Sequence, residues 1–287
     1  MCMSEIAVVI PTYNRAASLK RAIDSVEAQS FREFEIVVAD DGSEDETESI
    51  VQSCGNCRYL RLAHTGLPSI ARNAGARATD SRYIAFLDSD DVWLPHKLEI
   101  QMKIITGNAY GVVCSNALTD TGRYFSVGQE HTGNVRKDLL QDNFVITSTA
   151  VIRRAVFDRI GGLDESPAVY FEDYDLWLRA AAIAPFFYID EALIVYSRSV
   201  SGFGSRSSKL EHWQRMEQFL VRTRRTLEGD AKSLEAVVDR QLDSCRRSIC
   251  DGYLELGRYR DFARNMAGFA GRRPGPAAKY LAAKMLL

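Results

Sequence analysis

Four short polar clusters hold the residue types that could do chemistry in this chain. They are Thr12-Tyr13-Asn14-Arg15, Asp40-Asp41-Gly42-Ser43, Asp88-Ser89-Asp90-Asp91 and Glu172-Asp173-Tyr174-Asp175. Asp88, Asp90 and Asp91 offer hard oxygen ligands. Such ligands select Mg2+ or Mn2+, ions usually shared between one or two carboxylates and substrate phosphates. Residues i and i+2 of an extended segment point the same way. Asp88 and Asp90 are therefore expected to face one ligand, with Ser89 turned aside. Taken alone, a D-x-D is equally a capped turn before the next helix. Glu172 and Asp173 open a helical pattern, where acidic residues also serve the helix dipole. Gly161-Gly162-Leu163-Asp164-Glu165, a few residues earlier, shifts that second cluster toward a site. His64, His96, His131 and His212 never pair at ligand spacing and read as surface or packing residues. Cys54-Gly55-Asn56-Cys57 leaves a helix and enters a strand, the reverse of a redox pair's place, and reads as a turn.

The elements that must position these clusters alternate. Apolar runs at Ile6–Ile10, Phe34–Ala39, Tyr59–Leu62, Tyr83–Leu87 and Gly111–Ser115 read as strands. Helical periodicity falls between them, at Ala16–Gln29, Asp45–Gln52 (with Ser43 as N-cap) and Ser69–Ala78, and Pro95 is expected to open the next helix. Strands and helices alternating in this way predict an α/β fold with a mostly parallel central sheet flanked by helices. In such sheets ligands bind beyond the carboxyl ends of the strands, where the first three polar clusters fall. The middle is less regular, with a hairpin expected at Asp120-Thr121-Gly122, a turn at Gly161-Gly162 and a helix from Tyr174 to Ala184. A glycine- and serine-rich stretch, Ser197 to Ser208, reads as a loop over the site and carries Arg198 and Arg206. From Lys209 the pattern is helical nearly to the end, broken at Gly229-Asp230 and Gly271–Pro276, with a helical hairpin at Gly252–Tyr259. The expected division is 1–116, a regular α/β half; 117–208, a less regular half of the same domain; and 209–287, a helical appendage.

Composition narrows the function classes. The 287 residues carry a net charge of −2, so no global basic field points to nucleic acid. No apolar run is long enough to span a bilayer, and the N-terminus lacks the basic start of a secretory signal. A cytoplasmic protein with free thiols is expected. The basic, apolar tail Lys279–Leu287 suits either simple packing or contact with the inner face of a membrane. No G-x-G-x-x-G follows the first strand and no P-loop is present, so a diphosphate would need something besides glycine backbone.

Taken together, the ordered motifs resemble the inverting family 2 glycosyltransferases, which have the GT-A fold. The matching pieces are Val8–Arg15, Val38–Ser43, Ala71-Arg72-Asn73, Phe86–Asp91, and Gly161–Glu165 with Glu172–Trp177, spanning about two thirds of the chain. The resemblance implies transfer of a sugar from a nucleoside-diphosphate sugar, UDP- or dTDP-linked, to the hydroxyl of a carbohydrate or lipid-linked glycan acceptor. Bacterial surface glycan synthesis is the implied setting. It places Pro11, Thr12 and Tyr13 at the base, with Arg15 and Ser89 in the donor-binding set. Asp41 would accept a hydrogen bond from the base. Arg72 would lie near the diphosphate or base, and Asp88 near ribose and sugar. Asp90, with Asp88, would hold Mn2+ or Mg2+. Asp173 would be the general base, with Glu172 beside it. Many relatives carry a histidine after the last core strand; here Tyr196-Ser197-Arg198-Ser199 has none. That departure leaves the metal to Asp90 and water, or brings Arg198 and Arg206 to the diphosphate. The C-terminal helices offer a surface for oligomerisation. Two other readings stay open: a nucleotidyltransferase, which would usually carry a glycine-rich basic loop after the first strand, and a non-catalytic module that binds sugar nucleotides or a partner.

Overall fold

Ile6–Thr12 forms β1, followed by α1 (Ala16–Glu27), β2 (Phe34–Asp40), α2 (Thr47–Ser53), β3 (Cys57–Arg61), α3 (Pro68–Arg77) and β4 (Tyr83–Phe86). The computed structural model describes residues 4–124, 131–197, 209–227 and 231–285. β3, β2, β1 and β4 lie side by side in that order, all parallel. Parallel strands covered on both faces read as unbroken apolar runs, and Ile6, Ala7, Val8, Val9 and Ile10 are all fully buried. Helix α3 packs closely on β1: a Cβ at Gly75 would stand 2.3 Å from Val9 Cγ1, so only glycine fits there.

β5 (Val92–Trp93), α4 (Lys97–Gly107), β6 (Val112–Thr119), α5 (Arg136–Gln141), β7 (Val151–Arg153), α6 (Arg154–Arg159), α7 (Glu172–Ala181) and β8 (Phe186–Tyr196) complete the α/β unit. β7 pairs antiparallel with β4 and β6, β8 runs parallel to β6, and β5 pairs antiparallel with β8. The resulting eight-stranded sheet has the order β3-β2-β1-β4-β7-β6-β8-β5. The expected α/β architecture, mostly parallel and flanked by helices, is present. The sequence reading did not locate β5, β7 and β8, which are short or carry irregular apolar patterns.

The chain divides into two compact units, 1–198 and 199–287. The second is helical: α8 (Lys209–Arg225), α9 (Ala231–Glu255), α10 (Tyr259–Arg272) and α11 (Pro274–Met285). Leu210, Phe219, Val237, Val238, Ile249 and Phe269 are among its buried side chains. The Glu217 carboxylate accepts a hydrogen bond from Arg246 Nε at 2.8 Å, tying α8 to α9. Tyr280 Oη donates to Asp251 at 2.7 Å, tying α11 to α9.

Several local expectations are corrected. Ser43 does not cap α2; its hydroxyl donates to Asp40 Oδ1 at 2.5 Å and accepts from Asn14 N at 2.8 Å. The N-cap is Glu46, which makes no side-chain cap bond; Asp45 before it accepts from Thr47 N at 3.1 Å and, across the loop, from Ala16 N at 2.9 Å. Helix α4 starts at Lys97 rather than at Pro95. The hairpin expected at Gly252–Tyr259 is narrower. α9 continues through Gly252, and the chain turns at Gly257, whose φ of +66° is open to glycine without strain. Cys54 and Cys57 are free thiols at the turn between α2 and β3, and burial pushes the Cys57 thiol up to about 12. That is an inert turn cysteine, as expected from its place.

Candidate active site

The carboxyl ends of β1, β2 and β4 deliver three loops to one rim. Tyr13-Asn14-Arg15 follows β1 and is locked onto the loop after β2. Asn14, at φ +48°, accepts from Glu44 N at 2.8 Å through its side-chain oxygen. Asparagine is among the few residues with side chains that tolerate this left-handed conformation. Asp40 is fully buried and organises the second loop, taking bonds from Ser43 and from Tyr59 Oη at 2.6 Å.

Asp41, expected to accept a hydrogen bond from the base, has both of its oxygens already engaged. Oδ1 accepts from Thr65 N and Thr65 Oγ1, both at 2.9 Å, and Oδ2 accepts from Gly66 N at 2.8 Å. His64 Nδ1 lies 3.0 Å from Oδ2, and its ring stacks on Tyr13 with centroids 4.1 Å apart. His64, read from sequence as a surface or packing residue, is thus a neighbour of the site. Nothing in its spacing marks it, because the contact is made through the loop that Asp41 holds.

Asp88-Ser89-Asp90-Asp91 is a turn, closed by Asp91 N donating to Asp88 O at 3.0 Å. The expectation of an extended segment with Asp88 and Asp90 facing alike is therefore corrected. Asp88 and Asp90 instead meet different arginines. Arg15 Nη1 donates to Asp90 Oδ2 at 2.5 Å. Arg72, on α3, donates to Asp88 Oδ1 at 2.6 Å through one terminal nitrogen and to Glu172 Oε1 at 2.9 Å through the other. Arg72 is buried, and burial works against its charge, but Asp88 and Glu172 outweigh that and hold the guanidinium firmly charged. Ser89 is buried at 3% exposure beneath the turn.

Glu172 and Asp173 arrive from the start of α7. Their delivery depends on the glycine turn before it. Asn73 of α3 accepts from Leu163 N at 2.9 Å and donates to Leu163 O and Glu165 Oε1, both at 2.8 Å. Gly162, at φ +72°, has room for no Cβ, which would stand 2.7 Å from Asn73 Oδ1. Asp173 Oδ2 accepts from Thr147 Oγ1 at 3.3 Å, and Oδ1 accepts from Tyr174 N at 2.7 Å. Burial raises the Asp173 carboxyl above its ordinary range, opposed by the Arg72 charge. Glu172 is raised for the same first reason.

The turn Thr147-Ser148-Thr149 gathers these pieces from behind. Ser148 Oγ accepts from Asp88 N at 3.0 Å. Trp93 Nε1 donates to Ser148 O at 2.9 Å, and Gln101 Nε2 to Thr149 O at 2.7 Å. Lys97 supports this layer: fully buried, it donates to Gln101 Oε1 at 2.6 Å and lies 3.9 Å over the Trp93 ring. Burial pulls its pKa well below the ordinary value. Sequence reasoning missed Thr147, Ser148, Trp93, Lys97 and Gln101. They lie in segments with no motif, and only their long-range hydrogen bonds mark them. Arg198 and Arg206, expected near the diphosphate, lie outside the described residues.

Among the described residues, five carboxylates, Asp88, Asp90, Asp91, Glu172 and Asp173, stand near the guanidinium groups of Arg15 and Arg72. The surplus shows at Asp91, which is pushed up to about 8 by burial first and by the Asp88 charge second. It also shows at Tyr196, raised by burial and then by Asp91, Asp88, Asp90 and Asp173. Among the described residues, no three His, Cys, Asp or Glu side chains are arranged to enclose a metal ion. The donor set nonetheless fits a hard divalent cation shared with phosphate oxygens: one or two carboxylates at the rim, with negative charge in excess.

Comparison with known proteins was made against this geometry. A family model described as glycosyl transferase family 2 matches residues 7–161, just over half of the chain. An uncharacterised glycosyltransferase of Rickettsia prowazekii (strain Madrid E) is 33% identical over 201 residues, 66% of this chain and 62% of that protein. The chain therefore spans less than two thirds of that relative's length. The Escherichia coli UDP-Glc:alpha-D-GlcNAc-diphosphoundecaprenol beta-1,3-glucosyltransferase WfgD is 30% identical over 182 residues, 60% of this chain and 68% of that protein. Among solved structures, S. aureus TarS 1–349 with UDP-GlcNAc superimposes with a TM-score of 0.70 at 22% identity, covering 92% of this chain and 80% of that one. The mannosyltransferase PcManGT of Pyrobaculum calidifontis, with GDP-Man and Mn2+, gives 0.66 at 18% identity, covering 99% and 80%. At those identities the two structures show the shared fold.

Proposed function

The chain belongs to glycosyl transferase family 2, and from that premise we propose that it moves a sugar from a UDP- or dTDP-sugar to an acceptor hydroxyl, inverting the anomeric centre. The observation that carries this reading is Asp173. It is a half-buried carboxylate with a raised pKa, one residue from the Arg72–Glu172 ion pair and close to the Asp88–Asp91 turn that Arg72 also holds. A general base works best when its pKa approaches the operating pH, and burial moves Asp173 in that direction. The acceptor hydroxyl would give its proton to Asp173 as its oxygen attacks the anomeric carbon. The bond to the diphosphate breaks with oxocarbenium-like character. One attack opposite the departing group inverts the centre, and no enzyme nucleophile is needed.

Tyr13, with Pro11 and Thr12 behind it, would offer the face against which the base lies, and Asp41 would set the pocket's floor through the His64–Gly66 loop. For Asp41 itself to accept from the base, one of its bonds to Thr65 or Gly66 must be exchanged. Arg72 would orient Asp88 toward ribose and sugar, and Arg15 and Ser89 complete the donor-binding set. A divalent cation, Mn2+ or Mg2+, would be held by Asp90 with Asp88 and would supply positive charge for the departing diphosphate. The Mn2+ named with the mannosyltransferase neighbour supports this assignment.

The diphosphoundecaprenol-linked acceptor named for the E. coli relative supports a lipid-linked glycan as acceptor, in the synthesis of a bacterial surface glycan. Among the described residues no helix is long and apolar enough to cross a membrane, so contact with the inner face of the cell membrane would be peripheral. The test is transfer from UDP-glucose to a GlcNAc-diphospholipid, with the product's anomeric configuration read by NMR. A β-linked product made from the α-linked donor, formed by the parent and lost in Asp173→Asn with donor binding intact, is the expected result. A product of retained configuration overturns the mechanism.

A further inference from the structure

We propose that the helical unit 199–287 holds a binding groove for anionic lipid headgroups, between α9 and α11, by which the protein docks on a negatively charged bilayer. The groove is an open depression of about 470 Å³ whose lining includes Arg240, Arg247 and Lys279. Several arginines of this unit are paired with neighbouring carboxylates. Arg246 pairs with Glu217 at 2.8 Å, Arg224 with Asp239 at 2.8 Å, and Arg273 with Asp239 and Asp243 at 3.1 and 3.0 Å. Arg240, Arg247 and Lys279 form no ion pair among the described residues, although they line one cavity. Asp243, the one carboxylate in that lining, is already held by Arg273.

Three uncompensated cations around one concavity select an anion, and the floor says what kind. Pro276, Tyr280 and Ala283 make it apolar. Tyr280 is buried to 6% with its hydroxyl committed to Asp251, so it presents no open ring on which a nucleic-acid base could stack. Cations at the rim and carbon at the floor match a phosphate headgroup joined to a glycerol and acyl body. The unit as a whole has the charge such a surface needs: 199–287 holds 17 basic against 10 acidic residues, whereas 1–198 holds 19 against 28. Basic residues near an anionic bilayer are worth about a factor of five each in binding. This inference agrees with a lipid-linked acceptor but does not rest on sugar transfer.

The experiment is co-sedimentation of the full chain with vesicles of phosphatidylcholine alone or mixed with phosphatidylglycerol, without donor or acceptor. The parent is expected to bind the mixed vesicles and not the neutral ones. The triple variant R240Q/R247Q/K279Q is expected to lose about a hundredfold in affinity, with an unchanged thermal transition. A control of equal net charge, R21Q/R32Q/K103Q, alters exposed cations of the first unit and is expected to bind like the parent. Equal binding to neutral vesicles overturns the proposal, as does equal loss in both triple variants. Full competition by millimolar inorganic phosphate would make the groove a small-anion site and overturn the bilayer assignment. Unchanged vesicle binding in the groove variant, with a dimer lost in sedimentation velocity, would make the groove an interface between copies and overturn it too. Failure of sugar transfer leaves this result untouched, so the two readings fail separately.

Discussion

Asp173 and Asp91 both have raised pKa values, but with opposite consequences for the protein. A base must be unprotonated to act, so kcat/KM should fall as pH drops through the Asp173 value. That places the acidic limb of the profile above the ordinary aspartate value of about 3.9. A limb at or below that value would remove Asp173 as the base. Asp173→Asn should lower kcat by about 10²- to 10⁴-fold with little change in donor affinity. Asp91 works on stability. Its folded pKa, about 8, stands above the unfolded one, so protonation favours the fold. That contribution is complete below about pH 4 and is lost as pH rises through about 8. In chelator, Asp91→Asn should therefore gain thermal stability relative to the parent at pH 8.5 and gain little at pH 5; equal shifts at the two pH values would refute the linkage. Arg72 poses a different case. Its side chain is 7% exposed and serves two carboxylates. Arg72→Leu would strand both and should cost about 3 kcal/mol in urea unfolding.

The site depends as much on how elements meet as on the groups it presents. Helix α3 carries Arg72 toward Asp88 and Glu172 while its neighbour Asn73 fastens the turn before α7. Gly162 lets that turn close, both by its positive φ and by leaving space for Asn73. Gly162→Ala should cost about 2 kcal/mol from backbone strain and that contact, and transfer should fall more than donor binding, because Glu172 and Asp173 are displaced. Equal loss of both would place the glycine's effect elsewhere. The turn Thr147–Thr149 has a similar office: its backbone oxygens are held by Trp93 and Gln101, and its hydroxyls reach Asp88 and Asp173.

At the scale of the molecule, binding and folding are linked. A donor that engages only the folded 1–198 unit should stabilise it by about 2.7 kcal/mol at a hundredfold excess over Kd. Trp93 and Trp177, both buried in that unit, make the shift visible by fluorescence. With UDP-sugar and Mn2+ the transition should rise in the parent and stay put in Asp90→Ala or in excess chelator. An identical rise without the cation would remove Asp90 as its holder. The two units also differ in charge, acidic over 1–198 and basic over 199–287, a partition hidden in the near-neutral total.

The strands Ile6–Thr12, Phe34–Asp40 and Tyr83–Phe86, and the polar loops that follow them, were legible in the sequence because apolar periodicity and burial are local properties of each segment. The same regularity put Asp41, Asp88 and Asp90 on one rim without any structure, since parallel strands joined by helices all end there. β7 and β8, the Thr147–Thr149 turn and the Lys97–Gln101–Trp93 layer have no such local mark. Their places follow from hydrogen bonds between residues roughly 40 to 100 positions apart, for which periodicity holds no information. Only the folded chain decided that Asp88 and Asp90 form a turn and meet separate arginines, that Asp41 holds a loop, and that Asp173 is buried enough to have its pKa raised. Each of those is a matter of which charge lies near which. That is a property of distance and solvent exclusion in three dimensions, and not of order along the chain.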